Sequence, residues 1–187
     1  MYSTKDFRPG LRVEIDGAPY VIIDNQFVKP GKGQAFNRVR LKNLITGSVL
    51  DRTWKSGEVL PPADVSDDTM QFLYESAGTF HFMNVKTYEQ VELSEEQVGD
   101  AKNYLTENLQ VFISFWGHRP ISVAAPNFVE LQITKCDPGV RGDTVSGATK
   151  PATLSTGYVV SVPLFVEEGE WIRVDTRTGQ YMDRVKK

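Results

Sequence analysis

The chain has 187 residues, with 21 basic and 24 acidic side chains and a formal net charge of −3. Hydrophobic residues make up 40% and charged residues 24%, a globular composition, and the longest apolar run, Tyr20–Ile23, is far short of the ~20 residues of a spanning helix. A sequence pI near 5.5 excludes a protein that coats nucleic acid through bulk positive charge.

The opening Met1–Asp6 leads into no apolar stretch, so no secretory signal is expected. Cys136 is the single cysteine, which excludes an intramolecular disulfide and fits a reducing cytoplasm. Cut at Pro61-Pro62 and near Pro126-Asn127, the chain divides into 1–62, 63–127 and 128–187. Residues 1–62 hold 10 basic and 6 acidic side chains, net +4; residues 63–127 hold 3 and 10, net −7; residues 128–187 hold 8 and 8, net 0. That asymmetry suggests three units with different neighbours, each small for an independent core.

Most local patterns are strand-like. Val13–Ile15 and Tyr20–Ile23 flank Asp16-Gly17, a tight-turn pair. Val28-Lys29-Pro30-Gly31-Lys32-Gly33-Gln34-Ala35-Phe36 then forms a bare tip. Pro30 suits the first central position of a turn, and Gly31 is expected to supply the positive φ at the second. Lys32 stands between two glycines, so its ammonium can enter a narrow space and donate to phosphate or ribose oxygens. Next, Arg38, Arg40 and Lys42 share one strand face, about 6.6 Å apart at ~3.3 Å per residue. They make a basic rail suited to a nucleic-acid backbone. The same residues also suit an ordinary solvated hairpin, and the residues alone leave both readings open.

The middle piece pairs Met70–Tyr74 with Thr79–Met83 and Val111–Trp116 with Ile121–Ala124. Ser94-Glu95-Glu96-Gln97 fits a capping box, predicting one helix that runs toward Tyr104 and is weakened at Gly99. Asp64, Asp67 and Asp68 read as linker or turn caps, and Glu92, Glu95, Glu96, Asp100 and Glu107 as a solvated face. In the third piece, Asp137–Thr153 is a glycine-rich loop presenting Arg141, Asp143 and Thr144, followed by strands at Tyr158–Val162, Trp171–Asp175 and Tyr181–Val185. Short strands with regular turn signals predict an all-β chain of barrels or sandwiches.

Catalytic residues are not expected. His81 and His118 are the two histidines, His81 in a strand pattern and His118 in a turn. No thiolate cluster or His-Glu-x-x-His helix is present, so no metal or cofactor is expected. Gly-x-x-x-x-Gly-Lys-Ser/Thr is absent, which counts against a nucleotide-binding loop.

Asp137-Pro138-Gly139-Val140-Arg141-Gly142-Asp143-Thr144, followed by Lys150–Gly157, resembles the signature of the bacterial elongation factor P family. Lys29–Phe36 is similar to that family's first-domain tip, and Asp6–Gly10 and Thr178–Val185 resemble its two ends. The resemblance implies an L-shaped, all-β protein with an SH3-like (KOW-like) domain at 1–62, a central OB-type domain at 63–127 and a C-terminal OB-type domain at 128–187. It implies a monomeric, cytoplasmic, non-enzymatic factor that binds the 70S ribosome and its rRNA between the peptidyl and exit sites. There it contacts peptidyl-tRNA and promotes peptide-bond formation at consecutive prolines. Lys32 would be the post-translationally modified residue meeting the CCA end, the substrate of a lysine-modifying enzyme. Lys29, Pro30, Gly31, Gly33 and Gln34 would support it, and Arg38, Arg40 and Lys42 would hold tRNA or rRNA backbone. Arg141, Gly142, Asp143, Thr144, Tyr181 and Arg184 would lie on the small-subunit, message side.

Other readings are weaker. The hypusine-bearing archaeal and eukaryotic relatives resemble the first two domains only, so residues 128–187 count against them. A related bacterial paralogue lacks a Pro-Gly-Lys-Gly tip. A freestanding single-strand binder would use aromatic platforms, yet Trp54, Trp116 and Trp171 fall one per piece and read as core. A hydrolase using Asp143 or a helix carboxylate has no substrate predicted for it.

Overall fold

A computed structural model describes residues 1–139 and 147–187. Its strands, in chain order, are β1 Tyr2–Ser3, β2 Arg12–Ile15, β3 Ala18–Val28, β4 Phe36–Asn43, β5 Val49–Lys55, β6 Val59–Leu60, β7 Val65–Ser76, β8 Thr79–Asn84 and β9 Gln90–Ser94. After a helical stretch come β10 Gln110–Trp116, β11 Arg119–Ala124, β12 Phe128–Cys136, β13 Thr149–Leu154, β14 Val159–Pro163, β15 Trp171–Asp175 and β16 Gln180–Val185. The all-β expectation is met. The sheets are β2-β3-β4-β5, β11-β10-β7-β8-β9, β14-β13-β12-β15-β16 and the two-stranded β1-β6. Two compact units emerge: Met1–Asp67 with Ser114–Ser122, and Asp68–Ile113 with Val123–Lys187.

In the first unit, alternation along β4 sends Val39 and Leu41 inward and Arg38, Arg40 and Lys42 outward. The inward side chains close on Phe7, Val13, Ile22 and Trp54. Phe7 meets Trp54 edge to face, with centroids 5.8 Å apart. Asp16-Gly17 forms the expected turn, with positive φ at both residues. Asp67 differs from expectation. It lies in β7, receives a two-pronged hydrogen bond from Arg12 at 3.0 and 3.1 Å, and accepts from Ser114 Oγ at 2.6 Å.

In the second unit, Phe72, Phe82, Leu93, Val111 and Ile113 are buried. The predicted capping box is present: Gln97 N donates to Ser94 Oγ at 3.2 Å and Ser94 N to Gln97 Oε1 at 2.9 Å. The α-helix it starts, α1, covers only Glu95–Val98 and gives way to a 3-10 turn over Gly99–Tyr104. Gly99 takes φ 60°, a backbone state that cannot extend an α-helix. Glu95 and Glu96 are exposed as expected, and Glu95 pairs with Lys102 at 2.7 Å.

The remaining sheet of this unit wraps Val129, Leu131, Ile133, Leu154, Val162, Ile172 and Val174, and Tyr104 is buried in the same cluster. Thr156 Oγ1 donates to the Asn103 carbonyl at 2.6 Å, and the Tyr104 and Tyr158 rings lie 5.6 Å apart. Burial, with the neighbouring Tyr158, pushes the Tyr104 hydroxyl up to about 12. The tryptophans divide differently from expectation. Trp54 is core, whereas Trp116 and Trp171 are half-buried, and Lys187 Nζ sits 4.4 Å above the Trp171 ring.

The Arg177-Thr178-Gly179 turn rests on Asp175. Its carboxylate accepts from Arg177 N at 2.9 Å, Nε at 3.1 Å and Nη2 at 3.0 Å, while its carbonyl accepts from Gly179 N at 2.7 Å. Gly179 has φ +74°, and a Cβ there would lie 2.6 Å from Tyr158 Oη and 3.4 Å from Tyr104 Oη. Gly179→Ala is therefore expected to destabilise the protein by about 2–4 kcal/mol, from left-handed strain plus displaced tyrosines. Urea unfolding of both forms measures it.

The Arg177 guanidinium holds the Asp175 carboxyl below its usual range. A lowered folded-state value gives stability that is present above the unfolded value near 4 and is lost as pH falls through the folded value. Asp175→Asn should accordingly lower stability at neutral pH and lose part of its decline in acid, read from melting curves across the acid range.

Candidate nucleic-acid interface

The β3–β4 hairpin is long because the two strands stay paired from Tyr20↔Asn43 to Val28↔Phe36. β2 accompanies β3 only from Ala18 to Val21. The far end of β3 therefore leaves the barrel layer with an unpaired edge on one side. A bulge between Ile22 and Asp24 resets the alternation. Ile22 faces the core opposite Leu41, and after the bulge Asn25 and Phe27 take that face opposite Val39 and Asn37. Asp24 and Gln26 are thereby turned to the outer face, opposite Arg40 and Arg38.

Polar contacts hold the hairpin root. Asn37 is buried, and its Nδ2 donates to Asn25 Oδ1 at 3.0 Å. Asn25 Nδ2 in turn donates to the Phe7 carbonyl at 2.9 Å. The tip beyond it is exposed at Lys29, Gly31, Lys32, Gly33 and Gln34, with Pro30 half-buried. One expectation changes here: the left-handed residue is Gly33, at φ +101°, and Gly31 lies outside that region. Turn strain falls on the residue after Lys32. Ser56 N donates to the Ala35 carbonyl at 3.0 Å, and Gln34 Nε2 reaches the Ser56 carbonyl at 3.4 Å. Gln34 thus ties the tip to the turn that follows β5.

The rail is real as a face and uneven as a charge. Arg38, Arg40 and Lys42 are all exposed on β4. Arg40 Nε bonds to Asp51 Oδ1 at 3.0 Å, which raises the guanidinium's already high value, with Asp24 adding to it. Among the described residues, Lys29, Lys32, Arg38 and Lys42 have no ion-pair partner, so the fold leaves their charges unneutralised. Residues 27–38 contain these first three cations and no acidic side chain.

At the far end of the chain, Arg141, Gly142, Asp143 and Thr144 lie outside the described residues. The stems of their loop are tightly placed. Lys150 is buried and donates to the Asp137 carbonyl at 2.7 Å. A Cβ on Gly139 would sit 2.6 Å from the Leu164 carbonyl oxygen, so glycine is required by close backbone approach. Tyr181 packs against the C-terminal core, and its burial pushes the phenol up. Arg184 lies over the Phe165 ring at 4.8 Å and within 3.4 Å of Glu170. Both are registered opposite buried residues of β15, Val174 and Ile172. His81 stacks on Tyr74 at 4.3 Å and lies 3.5 Å from Glu92, while His118 is exposed in a turn.

Sequence reasoning missed the bulge and the Asn25–Asn37 pair. The successive apolar residues Ile22-Ile23 were the available signal for the bulge, since they break strand alternation. Nothing marked the two asparagines as partners.

Three family models match in order: the elongation factor P KOW-like domain over residues 3–60, the elongation factor P OB domain over 65–123 and elongation factor P, C-terminal, over 129–184. Elongation factor P of Desulfatibacillum aliphaticivorans is 51% identical over 187 residues, covering all of both chains. Among solved structures, translation initiation factor 5A from Methanococcus jannaschii matches with TM-score 0.53 and 23% identity, over 66% of this chain and 93% of that one. An initiation factor 5A family protein from Naegleria fowleri matches with TM-score 0.51 and 14% identity, over 66% and 96%. At these identities the two structures speak to fold alone.

Asn37→Ala is expected to leave the Asn25 amide short of a partner at the hairpin root. A loss of about 1–3 kcal/mol follows, measured by chemical denaturation, with faster amide exchange along β3 and β4 than elsewhere in the chain.

Proposed function

Since the chain belongs to the elongation factor P family and is a translation elongation factor, we propose that it braces peptidyl-tRNA on the 70S ribosome, between the peptidyl and exit sites, when synthesis stalls at consecutive prolines. The observation that carries this reading is the hairpin. It holds Lys32 on an exposed tip between two glycines, without an ion-pair partner among the described residues, past the end of the core beneath it. An ammonium so placed is available to phosphate and ribose oxygens rather than to its own fold.

In this reading, the chain consists of three domains, 1–62, 63–127 and 128–187, a division supported by the spans of the three family models. Lys32 meets the CCA end and is the target of a lysine-modifying enzyme. Lys29, Pro30, Gly31, Gly33 and Gln34 shape the tip. Arg38 and Lys42 hold backbone phosphates of tRNA or rRNA, with Arg40 a lesser contributor because Asp51 already occupies it. Arg141, Gly142, Asp143, Thr144, Tyr181 and Arg184 serve the message side of the small subunit. The factor works in the cytoplasm as a monomer.

The chemistry assigned to it is positional. A prolyl residue is a poor partner in peptide-bond formation because its ring restricts the geometry of attack. Fixing the CCA end restores orientation, and orientation alone is worth several kcal/mol of barrier when the reacting atoms are held close. The ribosome performs the transfer, and the factor needs no acid, base or nucleophile of its own.

Lys32→Ala should remain folded and should reduce translation of a Pro-Pro-Pro reporter to the level seen without factor; full rescue by that variant would overturn the assignment. Arg38→Ala and Lys42→Ala should each weaken ribosome binding and flatten its dependence on log salt by about 0.9. Arg40→Ala should change that slope less. Intact mass of protein from its native host would show whether Lys32 carries an added group.

A further inference from the structure

Phe27 is 62% exposed, although the face of β3 that carries it is the face that elsewhere builds the core. Across the sheet the row reads Phe27, Asn37, Trp54, and both other members are buried. Phe27 differs because β2 has ended and no layer covers this part of β3. Among the described residues the ring has no aromatic or cationic partner of the kind that Trp54, Phe128, Phe165 and Trp171 each possess. The bulge after Ile22 puts it there: uninterrupted alternation would have given this face to Gln26 and turned Phe27 outward.

The chemistry around the ring names the occupant. On the same hairpin the tip carries Lys29 and Lys32, and residues 27–38 hold no carboxylate, while Arg38 lies on the other face of the sheet. A bare π face in a wholly cationic segment suits a polyanion whose units are flat and stackable, which describes unpaired nucleotides. Duplex RNA offers phosphates without accessible base faces, so the ring favours a single-stranded stretch.

We propose that Phe27 is a stacking platform for an unpaired nucleotide in the single-stranded 3′ end of the bound tRNA, a second anchor on the hairpin beside Lys32. The inference rests on the reading that this hairpin meets peptidyl-tRNA. Lys32 supplies charge at the tip. Phe27, nearer the root, supplies a flat surface that fixes the direction in which the strand leaves the tip. Two anchors of different kinds constrain orientation more than one point charge does.

The test uses the full chain and 70S ribosomes stalled with prolyl-tRNA in the peptidyl site. Affinity is compared for wild type, Phe27→Ala, Phe27→Leu, Phe27→Trp and Lys32→Ala. Phe27→Ala should bind about ten- to a hundredfold more weakly with its unfolding midpoint nearly unchanged, because the ring is largely exposed. Phe27→Leu, which keeps apolar area and loses the π face, should be weakened similarly. Phe27→Trp should bind like wild type, and its added indole emission should be quenched by tRNA-bearing ribosomes but not by ribosomes with an empty peptidyl site.

Wild-type affinity in Phe27→Ala, with Lys32→Ala weakened, would overturn the platform alone. Wild-type affinity in both would overturn the hairpin reading with it. Wild-type affinity in Phe27→Leu would point to apolar packing against a protein surface and would also overturn the platform. So would sedimentation showing that Phe27 and the unpaired β3 edge join two copies of the chain at assay concentrations.

Discussion

A hairpin that runs past its own core cannot be held by burying side chains, and the first domain depends on how that is solved. β3 has eleven residues, its partner β2 has four, and beyond Ile22, whose backbone still bonds to Gly10 and Leu11, β4 is the strand that pairs with it. An isolated two-stranded ribbon in water is marginal. Here the ribbon is rooted where Asn37, buried against the core, passes its hydrogen bond through Asn25 to the Phe7 carbonyl. A chain of neutral amides suits this place. It satisfies buried polar groups, adds no charge to compete with the cations farther out, and joins the two hairpin strands to a segment distant in sequence. The bulge beside it sets which residues face inward, and through that choice it sets what the arm displays.

What the arm displays is charge left unneutralised. Elsewhere several cations are paired: Arg12 with Asp67, Arg173 with Asp183, Arg177 with Asp175 and Lys102 with Glu95. Exposed pairs such as Lys102–Glu95 stabilise little, yet each pair removes a cation from the field that a partner senses. Lys29, Lys32, Arg38 and Lys42 keep theirs. The net charge of −3 is thus a poor description of the surface. An acidic middle segment sits in the same chain as a concentrated basic arm, which suits the proposed recognition of one RNA surface without adhesion to all of them.

Much of this was legible in the residues because the signals were local. Asp16-Gly17 marked a turn, the alternation of Arg38 to Lys42 marked a strand with one wet face, and Ser94 with Gln97 marked a helix start. The failures involved competition between neighbours or contacts distant in sequence. Gly31 and Gly33 both suit positive φ, and only closure of the loop against Ser56 selects Gly33. Gly99 was read as weakening a helix that it in fact converts to a tighter one. Asp67 looked like a cap until Arg12, far away in sequence, was found to hold it. Trp171, one of three tryptophans that fall one per piece, reads as core, but it is half-buried with Lys187 lying over its ring. Arg141 to Thr144 were recognisable as a motif, while the stems that place them depend on Lys150 and on the approach of Gly139 to Leu164.

The stems and the arm follow one physical logic. In both places the described residues that flank a glycine-rich stretch of sequence have little freedom. At one, buried Lys150 donates to the Asp137 carbonyl, and at the other buried Asn37 bonds to half-buried Asn25. In the proposed reading the factor acts by where it holds things, so the stiffness of its mounts limits what it can achieve. Loop composition sets what can be touched, and the mount sets how accurately. In that reading, Asn37 and Gly139, neither of them proposed to touch a partner, bear on function as directly as the proposed contact of Lys32 does.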